Sequence, residues 1–161
     1  MSRTISVLVD NQPGVLARVT GLIARRGFNI ESLAVSHTED ATRSRVTVVV
    51  DADEVVVEQV TKQLHKLINV YKVNDLTEVD HIDRELVLFK VNAEPGKRAE
   101  ITQLASIFRA RIVDVAHNSL TIEATGTDDK LAAMEDLLRG YGIKEIIRSG
   151  KIAISRGSAS S

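Results

Sequence analysis

The sequence predicts an α+β fold made of two consecutive βαββαβ units. Three observations point there. Apolar residues recur with a strand period and then a helical period, in the order strand, helix, strand, strand, helix, strand. That order occurs twice, and the second occurrence superimposes on the first at one fixed offset. Placing Pro13-Gly14 over Pro95-Gly96 brings Val9 onto Val91, Ala17 onto Ala99, Val19 onto Ile101, Thr20 onto Thr102, Leu22 onto Leu104, Ile30 onto Ile112 and Leu33 onto Val115.

The first unit opens with a strand over Thr4–Asp10, where Ile5, Val7 and Val9 alternate with Ser6, Leu8 and Asp10. Asn11-Gln12-Pro13-Gly14 breaks it, and a helix follows with Val15, Leu16, Val19, Leu22 and Ile23 on one face. Gly27 stands where a helix-terminating glycine belongs. Ile30–Ser36 and Ser44–Asp51 read as strands joined by the polar hairpin loop His37–Arg43. From Asp53, Val56, Val57, Val60, Leu64, Leu67 and Ile68 return to helical spacing, acidic at the start and basic toward the end as the helix dipole favours. Val70–Leu76 supplies the fourth strand.

The second unit repeats this as strand Glu85–Asn92, helix Lys97–Phe108, strands Arg111–Val115 and Leu120–Ala124, helix Asp128–Arg139 and strand Ile143–Ile147. Thr77–Asp83, polar and acidic, is the expected linker, which places the domains at 1–78 and 84–157. Lys151–Ser155 reads as a further short strand, and Gly157-Ser-Ala-Ser-Ser as a frayed tail. Units of about 75 residues bury a modest share of their surface, so pairing with another sheet would help stabilise each.

Composition narrows the function. Across 161 residues, 43% are hydrophobic and 27% charged, with 21 Lys+Arg against 22 Asp+Glu. A net charge of −1 argues against a dedicated nucleic-acid binder, and 3% aromatics without Trp argues against base stacking. The absence of cysteine excludes disulfides, thiolate chemistry and Cys-based metal sites. No apolar run approaches a membrane span, and Asp10 interrupts the one stretch resembling a signal peptide, so the expectation is a cytoplasmic protein. His37, His65, His81 and His117 are dispersed without metal-ligand spacing, and no Gly-x-Ser-x-Gly elbow or phosphate-binding lysine loop occurs. Arg25-Arg26 and the set Arg148, Lys151, Arg156 read as solvated faces, the second set also as a surface for an acidic partner.

The informative segment is Asp10-Asn11-Gln12-Pro13-Gly14-Val15-Leu16, a glycine-containing loop running into a helix whose first N–H groups lack intrahelical partners. A carboxylate there would accept from the N–H groups of Gly14, Val15 and Leu16, and Gly14 lets a ligand approach closely. Asn29, at the start of the second strand, and Asn11 each carry an amide able to donate and accept, which suits the two charged ends of a free amino acid. The same residues also suit a plain strand-to-helix turn and two turn-capping asparagines. The repeat supplies an internal contrast: Asn11 maps to Ala93, Val15 to Lys97 and Asn29 to Arg111, so the second copy keeps the turn without the amides.

Asn11-x-x-Gly14-x-Leu16-x-Arg18-Val19-x-Gly21-Leu22, with Arg26-Gly27-x-Asn29-Ile30-Glu31-Ser32-Leu33, resembles the ACT domain of the small subunits of acetolactate synthase. The likeness continues through Lys62-Gln63-Leu64, Arg84-Glu85-Leu86, Ile107–Val115 and Arg148-Ser149-Gly150 to Ser155-Arg156-Gly157. The resemblance implies two ferredoxin-like units, the first an ACT domain, and no catalysis by this chain. It implies a larger catalytic partner using thiamine diphosphate, Mg2+ and FAD. That partner's activity would be raised and made sensitive to a branched-chain amino acid, valine above leucine or isoleucine. It also implies a homodimer through the ACT domains. Asn11, Gly14, Val15 and Leu16 of one chain and Asn29 and Ile30 of its neighbour would then hold the effector. The second unit would meet the catalytic subunit.

Other proteins of this strand order fit less well. An RNA-recognition domain needs stacking aromatics on its central strands, and Ile5–Val9 and Arg45–Val50 have none. A metal chaperone needs Cys-x-x-Cys, and an acylphosphatase-like enzyme needs an arginine in the Asp10–Leu16 loop; neither is present. The alternative that remains is a free-standing amino-acid sensor acting on another enzyme or a transcription factor.

Overall fold

The computed structural model describes residues 2–27, 29–157 and 161. The expected frayed tail at 158–160 lies outside the described residues. The first unit contains β1 (Ser2–Asp10), α1 (Val15–Ala24), β2 (Ile30–His37), β3 (Arg43–Asp51), α2 (Glu54–Leu64) and β4 (Val70–Asp75). Its four-stranded antiparallel sheet has the order β2-β3-β1-β4. Ile5, Val7 and Val9 of β1 and Val46, Val48 and Val50 of β3 meet Val15, Val19 and Ile23 of α1 and Val57, Val60 and Leu64 of α2 in one buried core. Asp53 caps α2 by accepting from the Val56 N–H at 3.0 Å.

The second unit follows with β5 (His81–Asn92), α3 (Arg98–Ile107), β6 (Arg111–Val115), β7 (Ser119–Gly126), α4 (Asp128–Arg139) and β8 (Ile143–Arg148). Its sheet order, β6-β7-β5-β8, is that of the first unit. A separate core gathers Val87, Phe89 and Val91 with Ile101, Ala105, Leu131, Met134 and Leu138. The repeat extends to irregularities of register. The β1–β4 pairing shifts between Leu8 and Val9, and β5–β8 at the corresponding Lys90 and Val91. The β2–β3 pairing shifts between Ile30 and Ser32, and β6–β7 at Ile112 and Asp114.

Four expectations are corrected. Ile68 does not join the buried face of α2 and is 94% exposed. The helix tightens at its end, with Lys66 N–H donating to Gln63 O and Leu67 N–H to Leu64 O, both at 3.1 Å, and this turns Ile68 away from the core. β1 is buried on both faces, since Thr4 and Ser6, opposite Ile5 and Val7, are also buried. Polar groups of the strand find partners: Ser6 Oγ accepts from Arg45 Nη1 at 2.7 Å, and the Thr4 backbone N–H donates to Thr77 Oγ1 at 2.9 Å.

The other two concern the chain's last segments. The expected linker is partly strand, because β5 already begins at His81. Residues after Gly150 cluster with the first unit, the compact bodies being Met1–Ile82 with Lys151–Ser161, and Asp83–Gly150. The Lys151 N–H donates to Ser32 Oγ at 2.8 Å, and Arg156 pairs with Asp80 at 3.2 Å. The short strand β9 (Ile152–Ser155) pairs with β5, whose first residues, His81 and Ile82, belong with it to that body.

Candidate functional site

The loop between β1 and α1 is exposed from Asn11 through Gly14. It is tied to the β2–β3 hairpin by Asn11, whose N–H donates to Thr42 O at 2.8 Å and whose Nδ2 donates to Ala41 O at 3.0 Å. Gly14 occupies the cap position of α1 with φ 85°, left-handed backbone in which a side chain is strained although open space surrounds the position. Among the described residues no side chain caps α1. Its ladder begins with Arg18 N–H to Gly14 O at 3.2 Å, and Val15 N–H makes a long 3.4 Å bond back to Gln12 O. The first-turn N–H groups therefore point from an uncapped helix end toward the loop, as anion recognition requires. Val15 itself is core, so only its backbone is offered to a ligand, whereas Leu16 is 39% exposed.

Asn29 is exposed and Ile30 half-buried. The chain does not bring them to Asn11. β3 separates β1 from β2, so the two strands do not lie together. On β3, Asp10 pairs with Arg43 and Ile30 with Val50, which sets the two asparagines at opposite ends of the sheet, roughly 24 Å apart along it. A single site using both must draw them from different copies. The outer edge of β2, which no strand covers among the described residues, carries Leu33 and Val35, about two-fifths exposed.

Beside the loop lies a polar cluster that sequence reasoning missed. The Asp10 N–H donates to Asn69 O at 2.9 Å, while Asn69 Nδ2 donates to Asp10 Oδ2 at 2.8 Å. The Tyr71 hydroxyl donates to Asp10 Oδ1. Arg18 Nη1 donates to Asn69 Oδ1 at 2.7 Å, which fixes the orientation of that amide, and the Arg43 guanidinium stacks 4.1 Å above the Tyr71 ring. The bonds from Tyr71 and then Asn69 hold the Asp10 carboxyl below its ordinary range, and the same contact with Asp10 raises the Tyr71 phenol. Asn69 and Tyr71 are some sixty positions from Asp10, and only the pairing of β4 with β1 reveals them. A cleft of about 330 Å3, lined by Val15, Arg18, Val19, Leu67, Ile68 and Asn69 among others, adjoins the cluster.

The remaining candidates resolve into ordinary structure. Arg148 bonds Glu135 at 2.9 Å and Glu85 at 3.4 Å, so with Arg156 on Asp80 the C-terminal basic set is engaged within the chain. Among the described residues no group of three His, Cys, Asp or Glu stands together as metal ligands, and no helix is long and apolar enough to cross a membrane.

Comparison with known proteins agrees with this architecture. Residues 5–72 match the profile described as the AHAS small subunit-like ACT domain, and residues 84–157 that described as the small subunit of acetolactate synthase. A probable acetolactate synthase small subunit from Archaeoglobus fulgidus is 58% identical over 158 residues, covering 98% of this chain and 99% of the relative. The chain belongs to the family of acetolactate synthase small subunits. A second member, from Mycobacterium leprae, is 53% identical over 156 residues, 97% of this chain and 92% of its own. The crystal structure of the small subunit from Thermotoga maritima superimposes with a TM-score of 0.88 at 39% identity, covering 99% of both chains. The first unit is thus an ACT domain, and the second a ferredoxin-like companion with the same strand order.

Proposed function

We propose that this small subunit is a non-catalytic regulator of acetolactate synthase. It activates a larger catalytic subunit, which carries thiamine diphosphate, Mg2+ and FAD, and confers feedback inhibition by a branched-chain amino acid, valine first. The effector lies between two ACT domains, held by Asn11 and the backbone of Gly14, Val15 and Leu16 from one copy and by Asn29 and Ile30 from a second.

One observation carries this reading: Asn11 and Asn29 occupy opposite ends of the same sheet. Extending the sheet across the open edge of β2 by a two-fold axis runs the two β2 strands antiparallel. That brings Asn29 of each copy to the sheet end that holds Asn11 of the other. The same step covers Leu33 and Val35 and sets the exposed Leu16 of each α1 near the seam. A ligand in such a seam acts by binding two arrangements of the dimer unequally, and about 1–3 kcal/mol of coupling suffices for a 5–150-fold effect.

The second unit, Asp83–Gly150 within the matched segment 84–157, lacks the amides and is assigned the contact with the catalytic subunit. Reconstitution tests the whole: adding this chain to the catalytic subunit should raise the rate of acetolactate formation, and valine should then suppress it. An unchanged rate, or co-purification with a different enzyme or a transcription factor, would favour the free-standing sensor. Replacing Asp83–Gly150 by a short flexible linker, which leaves Lys151–Ser161 with the first unit, should abolish activation while valine binding remains measurable by calorimetry; full activation by the shortened chain would refute the assignment of the second unit.

A further inference from the structure

We propose that Asn69 and Tyr71 are positioning residues for the effector, holding the Asp10 carboxylate so that the Asn11–Leu16 loop is set before the ligand arrives. The proposal rests on the ACT-domain reading above and adds residues that lie outside its ligand set.

The repeat provides the control. Both units form the backbone bonds that anchor this loop. Asp10 N–H donates to Asn69 O at 2.9 Å and, at the matching place, Asn92 N–H donates to Gly142 O at 2.8 Å. Asn11 N–H donates to Thr42 O and Ala93 N–H to Asn118 O, both at 2.8 Å. The register shift before the final strand is also shared. The strand pairing places Gly142 opposite Asn69 in the repeat and Lys144 opposite Tyr71. Glycine has no side chain with which to hold a carboxylate, yet the second unit builds the same turn.

The fold therefore does not require the side-chain cluster. What the first unit gains is a fixed carboxylate immediately before Asn11, with each oxygen engaged by a neutral donor. This matters in two ways. A loop already in its bound geometry loses less freedom when the ligand is captured. A carboxylate drawn into hydrogen bonds beside Arg43 also repels an incoming ligand carboxylate less than a free one.

L-Valine titrated calorimetrically into the full-length chain tests this, with Tyr71→Phe, Asn69→Ala and Gly14→Asp alongside. Tyr71→Phe retains the ring beneath Arg43 and removes only the hydroxyl, at a residue 48% exposed, so folding is preserved. The expected result is a dissociation constant raised roughly ten-fold in Tyr71→Phe and Asn69→Ala, with activation of the catalytic subunit retained and only a small fall in melting temperature. A purely structural role would lower the melting temperature and leave the dissociation constant unchanged. Wild-type affinity in both variants, with binding lost in Gly14→Asp, would overturn the positioning role and leave the site itself standing. No binding of valine to the wild-type chain would overturn both.

Discussion

The two units answer the same folding problem with different chemistry at three matched places. At the end of the first strand, one has Asp10, Asn11, Asn69 and Tyr71 where the other has Asn92, Ala93, Gly142 and Lys144. At the end of the first helix, Gly27 takes φ 78° and its counterpart Arg109 takes φ 57°, so the left-handed turn belongs to the fold and is kept even where a side chain makes it costly. At the far end of the first strand, Arg3 bonds Asp75 at 2.7 Å, and the matching pair is Glu85 with Arg148 at 3.4 Å, the same bridge with its charges exchanged. Backbone geometry is conserved between the halves and side-chain identity is not. The side chains differ while the turn stays intact.

The largest effects should come from the matched glycines. Gly14→Asp places a charge, and a side chain at φ 85°, where a ligand carboxylate is expected, so valine should no longer inhibit a complex that remains active. Gly96→Asp alters the corresponding turn, where no neighbour lies within 4 Å, and should leave valine sensitivity unchanged. Dose–response curves of both reconstituted complexes check this. Equal loss in the two would erase the contrast between the units.

The cores come next. Phe89 is fully buried in the second unit, and Phe89→Ala should cost about 3–5 kcal/mol there. Because the first unit keeps a core of its own, valine binding should survive when measured below the shifted melting transition.

The Arg3–Asp75 bridge predicts a pH response. Burial pushes the Asp75 carboxyl up, but the Thr77 hydroxyl and N–H and the Arg3 guanidinium together hold it below its ordinary range. A carboxyl lowered in the folded state contributes stability that is complete above the unfolded value, about 3.9, and is lost as pH falls through the folded one. Acid unfolding monitored by circular dichroism should therefore be less steep in Asp75→Asn below about pH 4. The smallest effect is at Arg109, where glycine relieves left-handed strain. Arg109→Gly should stabilise the second unit by about 0.5–1 kcal/mol in denaturant titration.

Much of this was legible in the sequence, for local reasons. Period and breakers marked the eight strands and four helices of both cores to within a few residues, because Pro13-Gly14, Gly27 and the apolar stripes act over one or two turns. Ile68 was misplaced because helical spacing does not reveal where the last turn tightens. The cluster of Asn69 and Tyr71 on Asp10 was invisible because it depends on which strand pairs with β1 and on a one-residue shift in that pairing. The burial of Thr4 and Ser6 was hidden too, since alternation assigns small hydroxyls to solvent whether or not another segment covers them. Asn11 and Asn29 were picked out as types. The resemblance had already assigned them to a site shared between neighbouring chains, but that one chain holds them at opposite ends of its sheet needed the strand order.

Subunit mixing tests that sharing most directly. Asn11→Ala and Asn29→Ala should each abolish valine binding in their own homodimers. In a dimer containing one of each, one seam site carries both substitutions and the other neither. Unfolding and refolding an equal mixture should thus restore binding at about a quarter of the sites, given random pairing of copies. Restoration of none, or undiminished binding by either homodimer, would contradict a site built from two chains.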